Sequence, residues 1–268
     1  MVVRPTVIRH AGRVTTAEFV KRRPGAHPDF FAAEAAGLRW LGDAGAPVVQ
    51  VLEVSAEHIT LERVASAAPT PVAAEEFGAA LARMHDAGAA EFGSPPAGFD
   101  GQLFIGSRAM PSEPKPTWGE FYAVQRVLAF VDIAVSAGNL THSDAEDTRA
   151  ACELIASGLF DDDEPAARIH GDLWSGNVMW TPKGVVMIDP AAHGGHRETD
   201  LAMLALFGCP EFEAVIDGYQ RAHRLRAGWQ DRIPLHQLHP LAVHAAGHGP
   251  GYGTELGRAA RRTLELAA

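Results

Sequence analysis

One short unit carries most of the chemical information in this chain: Ile169-His170-Gly171-Asp172-Leu173-Trp174-Ser175-Gly176-Asn177, followed by Val185-Val186-Met187-Ile188-Asp189-Pro190. The residues between predict a hairpin, with a strand at Val178-Met179-Trp180, a turn at Pro182-Lys183-Gly184 and a second strand from Val185 to Ile188. Asp172 and Asn177 precede this hairpin and Asp189 follows it. Because both ends of a two-stranded hairpin open the same way, the three polar side chains can converge.

This set of groups fits a phosphoryl-transfer site, which needs one group to receive a hydroxyl proton and two to hold magnesium. Asp172 is the candidate that orients an acceptor hydroxyl and takes its proton. Asn177 and Asp189 offer the hard oxygen ligands that Mg²⁺ prefers, with nucleotide phosphates and waters completing the octahedron. We expect His170 to brace the loop by hydrogen bonds rather than to act in catalysis.

A lysine and a glutamate upstream form a matching pair. Glu34 shares one face of a predicted helix, residues 28–42, with Phe31 and Leu38, so it is a carboxylate on an apolar stripe. A buried charge is costly unless it is paired, and Lys21, at the end of a β-rich segment, is the obvious partner. A strand lysine held by a helix glutamate grips the α- and β-phosphates of ATP in kinase-like enzymes. The alternative is that Glu34 reaches solvent.

The pattern divides the chain into a β-rich first part and a mostly helical second part. The β-rich segment 13–21 and strands predicted at 48–54 and 59–64 belong to the first part, and a small, proline-containing segment connects it to the second. Glu62 and Val64 enter this connection. In a two-lobed kinase this segment would offer backbone groups to adenine, and this assignment rests on order along the chain alone.

The second part is predicted from local signals. Thr70-Pro71 starts a helix that ends near Gly88, and a long ordered loop follows over 93–116. Capping boxes at Thr117–Glu120 and Ser143–Glu146 open helices that run to about Ala137 and Gly158. Further helices are predicted from about Asp200 to the end of the chain.

Composition excludes several classes of protein. The chain has 268 residues and a formal net charge of −10, which argues against nucleic-acid binding and fits a substrate that carries an amine. It has no apolar run of bilayer length, no signal-peptide pattern, and two distant cysteines that suggest neither zinc nor disulfides. We therefore expect a cytoplasmic protein, with no membrane partner; the oligomeric state is not determined, and a monomer is the expectation.

A group of histidines, His236, His239, His244 and His248, recurs at spacings of three to five residues. Such spacing can build a metal site on a helix, but Pro240 interrupts the run. Packing with hydrogen bonding, lining of an acceptor pocket and metal binding all remain open for this group. Sequence signatures of P-loop NTPases, dinucleotide-binding enzymes, zinc proteases and serine hydrolases are absent.

These residues resemble the fructosamine/ketosamine kinase family, within the aminoglycoside-phosphotransferase and protein-kinase-like superfamily. The resemblance rests on His170–Asn177, Ile188–Ala191, and Gly195-His196-Arg197-Glu198-Thr199-Asp200-Leu201-Ala202-Met203 with Leu206-Phe207-Gly208. Supporting matches are Phe19-Val20-Lys21, Ala33–Leu38, Leu81–His85 and Ile105-Gly106-Ser107, so that residues 19–252 are covered. The tryptophan after Asp-Leu and the Gly-His-Arg-Glu run separate this family from choline and antibiotic kinases.

The resemblance implies an α+β, protein-kinase-like fold of two lobes. A small β-rich N-lobe with one main helix would occupy residues 1–65 and bind nucleotide. A larger, mostly helical C-lobe over 66–268 would hold the catalytic and substrate-binding residues. ATP and Mg²⁺ are the implied cofactors.

The resemblance also implies a substrate: a small-molecule or protein-bound ketosamine, phosphorylated on a sugar hydroxyl, C3 in the family, so that a protein is freed of glycation. Similar bacterial enzymes prefer ribulosamines or erythrulosamines. Trp174 would offer an apolar face to the sugar, His196 and Glu198 would shape the substrate side, and Asp200 would brace the catalytic loop. Alternatively, Arg197, Glu198 and Asp200 form a structural ion network.

One feature departs from the family pattern. A strand, a glycine-containing loop and another strand usually precede the lysine, whereas only twenty residues precede Lys21 and His10-Ala11-Gly12 is the one candidate loop. The N-lobe is therefore expected to be truncated. Two alternatives stay open: a kinase of another small hydroxylated acceptor such as an aminoglycoside, and a non-catalytic nucleotide-binding relative with a degenerate phosphate loop.

Overall fold

The computed structural model describes residues 17–267. It begins with a three-stranded antiparallel sheet in the order β1-β3-β2, made of β1 (Glu18–Arg22), β2 (Val51–Val54) and β3 (His58–Glu62). In the register of the β1–β3 pair, Lys21 lies opposite Ile59 and Glu18 lies opposite Glu62. The two later strands are confirmed, although both are shorter than predicted. Residues 13–16 of the predicted first strand and the candidate loop His10-Ala11-Gly12 lie outside the described residues.

Helix α1 (Phe30–Asp43) packs on this sheet. Phe31 and Leu38 of the helix form a buried apolar cluster with Ile59 and Leu61 of the central strand. The predicted helix over 28–42 is confirmed within two residues, because apolar side chains at helical spacing find an apolar sheet face to cover. The packing fixes the orientation of α1, and with it the position of Glu34.

The second part is mostly helical, and α2 lies against α7 while α8 packs on both α6 and α9. Its helices are α2 (Pro71–Asp86), α3 (Trp118–Phe121), α4 (Ala129–Ser136), α5 (His142–Ala156), α6 (Arg197–Leu206), α7 (Phe212–Ala222), α8 (Trp229–Ala245) and α9 (Pro250–Glu265). A π-helical segment (Tyr122–Leu128) joins α3 to α4. The expected α+β class, with one main helix beside the first sheet, is confirmed. Across residues 17–267, no helix has both the length and the apolar content needed to cross a membrane.

Three pairs of short antiparallel strands complete the second part: β4 (Leu103–Ile105) with β5 (Arg108–Met110), β6 (Ala167–Ile169) with β9 (His193–Gly195), and β7 (Val178–Thr181) with β8 (Gly184–Met187). The β7–β8 hairpin confirms the predicted one. The β4–β5 hairpin corrects the prediction of an unbroken loop over 93–116. Its strands have three residues each, too few to show the alternation that identifies a strand.

Only some of the predicted helix ends agree with the structure. Thr70 caps α2 as expected, its hydroxyl accepting from the Ala73 amide at 3.2 Å. Thr117, however, makes no side-chain cap, and α5 is capped by Thr141, whose hydroxyl accepts from the Asp144 amide at 3.1 Å, so the capping box at Ser143 was wrong. Helix α8 also continues through Pro240, because its buried apolar face holds it in the core against the local cost of the proline.

Candidate active site

Two neighbouring segments carry the predicted catalytic side chains. The chain leaving β6 and the chain returning from β8 lie side by side, since the Ala191 amide donates to the His170 carbonyl at 3.0 Å. The β7–β8 hairpin connects them, and the Ile188 amide donates to the Asn177 carbonyl at 3.1 Å. Both ends of the hairpin therefore open to the same place, as the sequence predicts.

The structure brings Asp172, Asn177 and Asp189 together in one pocket. The side-chain amide of Asn177 donates to the Asp172 carbonyl at 2.8 Å and to the Asp172 carboxylate at 3.2 Å. Asp189 has a φ of 56°, in the left-handed region that is costly for a residue other than glycine. Strained backbone of this kind tends to occur where function requires one particular orientation.

Lys21 reaches this group from the first sheet. Its ammonium donates to the Glu34 carboxylate at 2.7 Å and also contacts the Asp189 carboxylate. Burial by itself would lower the pKa of Lys21, but the charges of Glu34 and Asp189 outweigh it and raise the pKa. The predicted lysine–glutamate pair is present, and it positions a charged ammonium beside the three polar side chains.

Asp172 is the unusual carboxylate of the site. It is partly buried, and this burial raises its pKa from 3.8 to about 7. The charges of Asp189 and Asp200 act in the same direction, whereas the hydrogen bond from Asn177 opposes them. A carboxyl that titrates near neutral pH is a stronger base than an ordinary one, and its position within a pocket makes it a functional candidate.

Asp200 holds the loop that presents Asp172. Its fully buried carboxylate accepts from the backbone amides of His170 at 2.8 Å and Gly171 at 2.9 Å, and it lies 3.2 Å from the His85 ring. Burial acts to raise the pKa of Asp200, but these donors and the charge of His85 lower it. His85 falls in the Leu81–His85 segment that matches the family pattern, although the sequence assigned it no role, and it is joined in turn to the Tyr219 hydroxyl at 2.8 Å.

Gly171 and His170 fix the same loop. Gly171 has a φ of 78°, and a Cβ there would lie 2.4 Å from the Ala191 carbonyl oxygen, so only glycine fits. His170 is buried, and burial lowers its pKa. Its Nδ1 accepts from the Asp172 amide at 3.3 Å, so the opposite nitrogen donates to the Ile188 carbonyl at 2.9 Å. His170 therefore braces the loop, as expected.

The pocket has a volume of about 390 Å³. It is lined by six of the predicted site residues: Lys21, Glu34, Asp172, Trp174, Asn177 and Asp189. Residues that sequence reasoning did not single out as site residues also line it, among them Arg23, Phe30, Phe104 and Gly106. Arg23 comes from the β1–α1 connection, Phe30 from the start of α1, and Phe104 and Gly106 from the β4–β5 hairpin; of these four, only Gly106 falls in a segment that matches the family pattern.

Four predicted site residues do not line this pocket. Glu62 and Val64 are half-buried at the end of β3, and the Glu62 amide donates to the Gln50 carbonyl at 2.9 Å. His196 and Glu198 are buried at the start of α6. The assignment of Glu62 and Val64 to adenine, and of His196 and Glu198 to the substrate, remains a prediction.

His196 and Glu198 belong to a buried network of charges. Arg232 donates to both carboxylate oxygens of Glu198, at 2.9 and 2.5 Å, and the His236 ring lies 3.5 Å from the same carboxylate. Burial would raise the pKa of Glu198, but these donors lower it to about 2. The ligand atoms of His196, Glu198 and His236 lie within 4.8 Å of one another, but Arg232 already occupies the carboxylate.

The remaining histidines pack into the helical core or against aromatic rings. His239 is buried and bonds to the Arg126 carbonyl at 2.7 Å. The His244 ring lies 4.9 Å from Phe207 and 5.2 Å from His248. These contacts fit the packing alternative, and none of the four histidines at 236–248 lines the pocket.

Known proteins resemble this chain over nearly its whole length. Residues 6–265 match the family model described as fructosamine kinase. A protein of Enterococcus faecium named probable ketoamine kinase is 30% identical over 246 residues, which cover 90% of this chain and 85% of that protein. A crystal structure from Thermobifida fusca, described as a candidate fructosamine-3-kinase, shares 47% sequence identity and a TM-score of 0.87, and covers 93% of this chain and 86% of its own.

A more distant structure shows the breadth of the fold. A choline/ethanolamine kinase family protein from Mesorhizobium loti is 17% identical and has a TM-score of 0.58, with 93% of this chain and 86% of that chain covered. At this identity the likeness concerns the fold alone. Together with the Thermobifida fusca structure, it confirms the kinase-like, two-lobed fold expected from the sequence.

Proposed function

The chain belongs to the fructosamine kinase family, and we propose that it transfers the γ-phosphoryl group of ATP to a sugar hydroxyl of a ketosamine. The observation that carries this proposal is the convergence of Asp172, Asn177 and Asp189 in one pocket with the Lys21–Glu34 pair. Phosphoryl transfer asks a protein mainly for positioning and for neutralisation of charge, and this set of groups offers both.

Asp172 is assigned as the group that orients the acceptor hydroxyl and receives its proton. Its pKa of about 7 leaves a large fraction unprotonated at neutral pH and makes it a better proton acceptor than an ordinary aspartate. The Asn177 amide holds its carboxylate at 3.2 Å, and the Asp200-braced loop fixes its backbone. The proton of the hydroxyl would pass to a carboxylate oxygen of Asp172 as the phosphoryl group leaves ATP.

Asn177 and Asp189 are assigned as the magnesium ligands. Both line the pocket and both carry side-chain oxygens, which is the donor chemistry that magnesium prefers. When bound, magnesium would neutralise phosphate charge. The backbone of Asp189 is in the left-handed region, and the side-chain amide of Asn177 donates to the Asp172 carbonyl, so both residues are held where they line the pocket.

Lys21 is assigned to the α- and β-phosphates of ATP. Glu34 holds the ammonium at 2.7 Å and supports its charged form. We assign the adenine to backbone groups at Glu62 and Val64, on the grounds of chain order. In this assignment residues 1–65 form the nucleotide-binding lobe and residues 66–268 form the catalytic and substrate-binding lobe.

Trp174 is assigned to the acceptor sugar. Its side chain lines the pocket and is 39% exposed, and Phe207 lies edge-on to it with ring centroids 6.0 Å apart. An exposed but braced aromatic face suits the apolar side of a sugar ring. The ketosamine class, the C3 hydroxyl, the preference for ribulosamines and a role in deglycation are proposed from the family. His196 and Glu198 are assigned to shaping the substrate side of the site, although both are buried and neither lines the pocket.

The test measures phosphorylation of three acceptors in the presence of Mg²⁺ and ATP: ribulosyl-lysine, fructosyl-lysine and an aminoglycoside. Release of ADP is followed by a coupled assay, and the position of the new phosphate by phosphorus NMR. We expect turnover of the ketosamines and a loss of at least about a hundredfold in Asp172→Asn, the usual contribution of a general base. Asp132→Asn, at a largely exposed surface aspartate, is the matched control and should retain full activity.

Three results would contradict the proposal or one of its assignments. Turnover of the aminoglycoside alone would support phosphoryl transfer from ATP but contradict the ketosamine as the substrate class. Binding of Mg²⁺-ATP without phosphorylation of any acceptor would favour the non-catalytic nucleotide-binding alternative. Equal rates for the unmodified protein and Asp172→Asn would remove Asp172 from the role of base.

A further inference from the structure

One wall of the pocket is made of residues that the proposed catalytic set does not use. Arg23, Phe30 and Phe104 line the same pocket as Asp172 and Asp189. The Arg23 guanidinium lies over the Phe30 ring, 4.7 Å from its centroid, and the Phe30 and Phe104 rings meet edge-on with centroids 5.3 Å apart. Stacking covers one face of the guanidinium and leaves the N–H groups at its edge for a ligand.

The charge of Arg23 is available, unlike that of Lys21. Lys21 is paired with Glu34 and Asp189, whereas among residues 17–267 no carboxylate lies within ion-pairing distance of Arg23. The remaining charged residues that line the pocket are acidic: Glu34, Asp172 and Asp189. The pocket therefore offers one cation to an anionic group of a ligand.

Arg23 follows directly after β1, and its amide continues the pairing by donating to the Glu57 carbonyl at 3.2 Å. Its side chain lines the same pocket as that of Lys21. At about 3.3 Å per residue, Lys21 lies roughly 10 Å and Arg23 roughly 16 Å from Glu18, the residue opposite Glu62. With adenine assigned to the Glu62 end and the phosphates to Lys21, Arg23 lies beyond the phosphates.

We propose that Arg23 binds a carboxylate of the acceptor, so that the protein prefers ketosamines formed on the α-amine of a free amino acid. This inference rests on the proposed function. In such an acceptor the carboxylate is one carbon away from the secondary ammonium that carries the sugar. Arg23 matches the first group, by two parallel N–H···O bonds. A ketosamine on a lysine side chain of a protein has the ammonium but no neighbouring carboxylate.

The test uses two acceptors that differ in the carboxylate alone, fructosyl-glycine and fructosyl-glycinamide. KM and kcat are measured for the unmodified protein, for Arg23→Gln and for Arg22→Gln. Arg22 is the matched control because it is the neighbouring exposed arginine on the opposite face of β1. Calorimetry of acceptor binding without nucleotide gives a second readout that does not depend on turnover.

We expect the unmodified protein to prefer fructosyl-glycine. Arg23→Gln should raise the KM and the dissociation constant for fructosyl-glycine by at least about tenfold, as expected for a lost hydrogen bond to a charged group. Its kcat, its KM for fructosyl-glycinamide and its KM for ATP should change little, and Arg22→Gln should behave like the unmodified protein. This pattern distinguishes recognition of the carboxylate from a general loss of structure.

Three results would overturn the inference. The first is an unmodified protein that turns over both acceptors equally well, which would leave the proposed function intact. The second is a rise in the KM for ATP in Arg23→Gln, which would assign Arg23 to the nucleotide phosphates. The third is an equal loss for both acceptors. A protein that phosphorylates neither these acceptors nor ribulosyl-lysine would instead refute the proposed function, and with it this inference.

Discussion

Asp172→Asn should stabilise the protein while it removes the activity. Burial raises the pKa of Asp172 from 3.8 to about 7 in the folded protein. The folded state therefore keeps a proton that the unfolded chain releases between about pH 4 and pH 7, and the contribution of this carboxyl to stability falls as the pH rises through that window. Asparagine has nearly the same shape and no charge, so it avoids this cost.

The size of the effect follows from the two pKa values. Their difference corresponds to about 4 kcal/mol in the free energy of unfolding above pH 7. Because Asp172 is partly exposed and solvent screens its charge, we expect roughly half of this, about 2 kcal/mol. The gain should be small near pH 4, increase with pH and level off above about pH 8.

The assay is urea unfolding of the unmodified protein and of Asp172→Asn from about pH 4.5 to pH 9, without nucleotide, at constant ionic strength. Asp200→Asn is the matched control. Asp200 accepts hydrogen bonds from the amides of His170 and Gly171, and its pKa is lowered, so the same substitution should destabilise the protein at neutral pH. A gain in Asp172→Asn that does not depend on pH, or a loss of stability at pH 8, would refute the explanation by burial of a charge.

Three further predictions concern the pH dependence of turnover, ATP binding and the metal site. The kcat/KM for the acceptor should fall below about pH 7 with one proton bound, because Asp172 must be ionised to act and its pKa in the ligand-free protein is raised to about 7; a midpoint near pH 4 would contradict this. Lys21→Met should raise the dissociation constant for ATP, measured by calorimetry, by at least about tenfold. Adding Glu34→Gln to Lys21→Met should weaken ATP binding little further, because the two side chains act as a pair. Additive losses of binding free energy would show that the two side chains act independently. Asp189→Ala should abolish magnesium-dependent ATP turnover, and retained turnover would remove Asp189 from the metal site.

Much of the fold follows from patterns that are local in the sequence. The helix at α1 and the β7–β8 hairpin were predictable because each has the period or the turn residues of its element over enough positions. The β4–β5 hairpin was not, since strands of three residues carry no period. The start of α5 was misplaced by two residues because Thr141 and Ser143 are both good caps, and the structure uses Thr141.

Some side chains of the site were likewise predictable from local patterns, and others were not. The Lys21–Glu34 pair was predictable because a carboxylate on an apolar helix face requires a cation. The partners of Glu198 were not, since Arg232 lies 34 residues away in the sequence and no local pattern joins them. Arg23 gave no signal either, because a single arginine after a strand has no period and no motif; only the packing against Phe30 shows that it lines the pocket.

Three aspartates meet around the loop that carries His170, Gly171 and Asp172, and each has a different set of hydrogen-bond donors and charges around it. Asp200 accepts hydrogen bonds from two backbone amides and lies beside His85, so its charged form is favoured. Asp189 has the Lys21 ammonium beside it. Asp172 has only the Asn177 amide against its burial and the charges of the other two, and its pKa is therefore raised to about 7. A carboxylate that is to accept a proton must be short of donors, and this shortage destabilises the loop that carries it. The bonds from that loop to Asp200 offset the cost, so the fold can keep a reactive carboxylate in place.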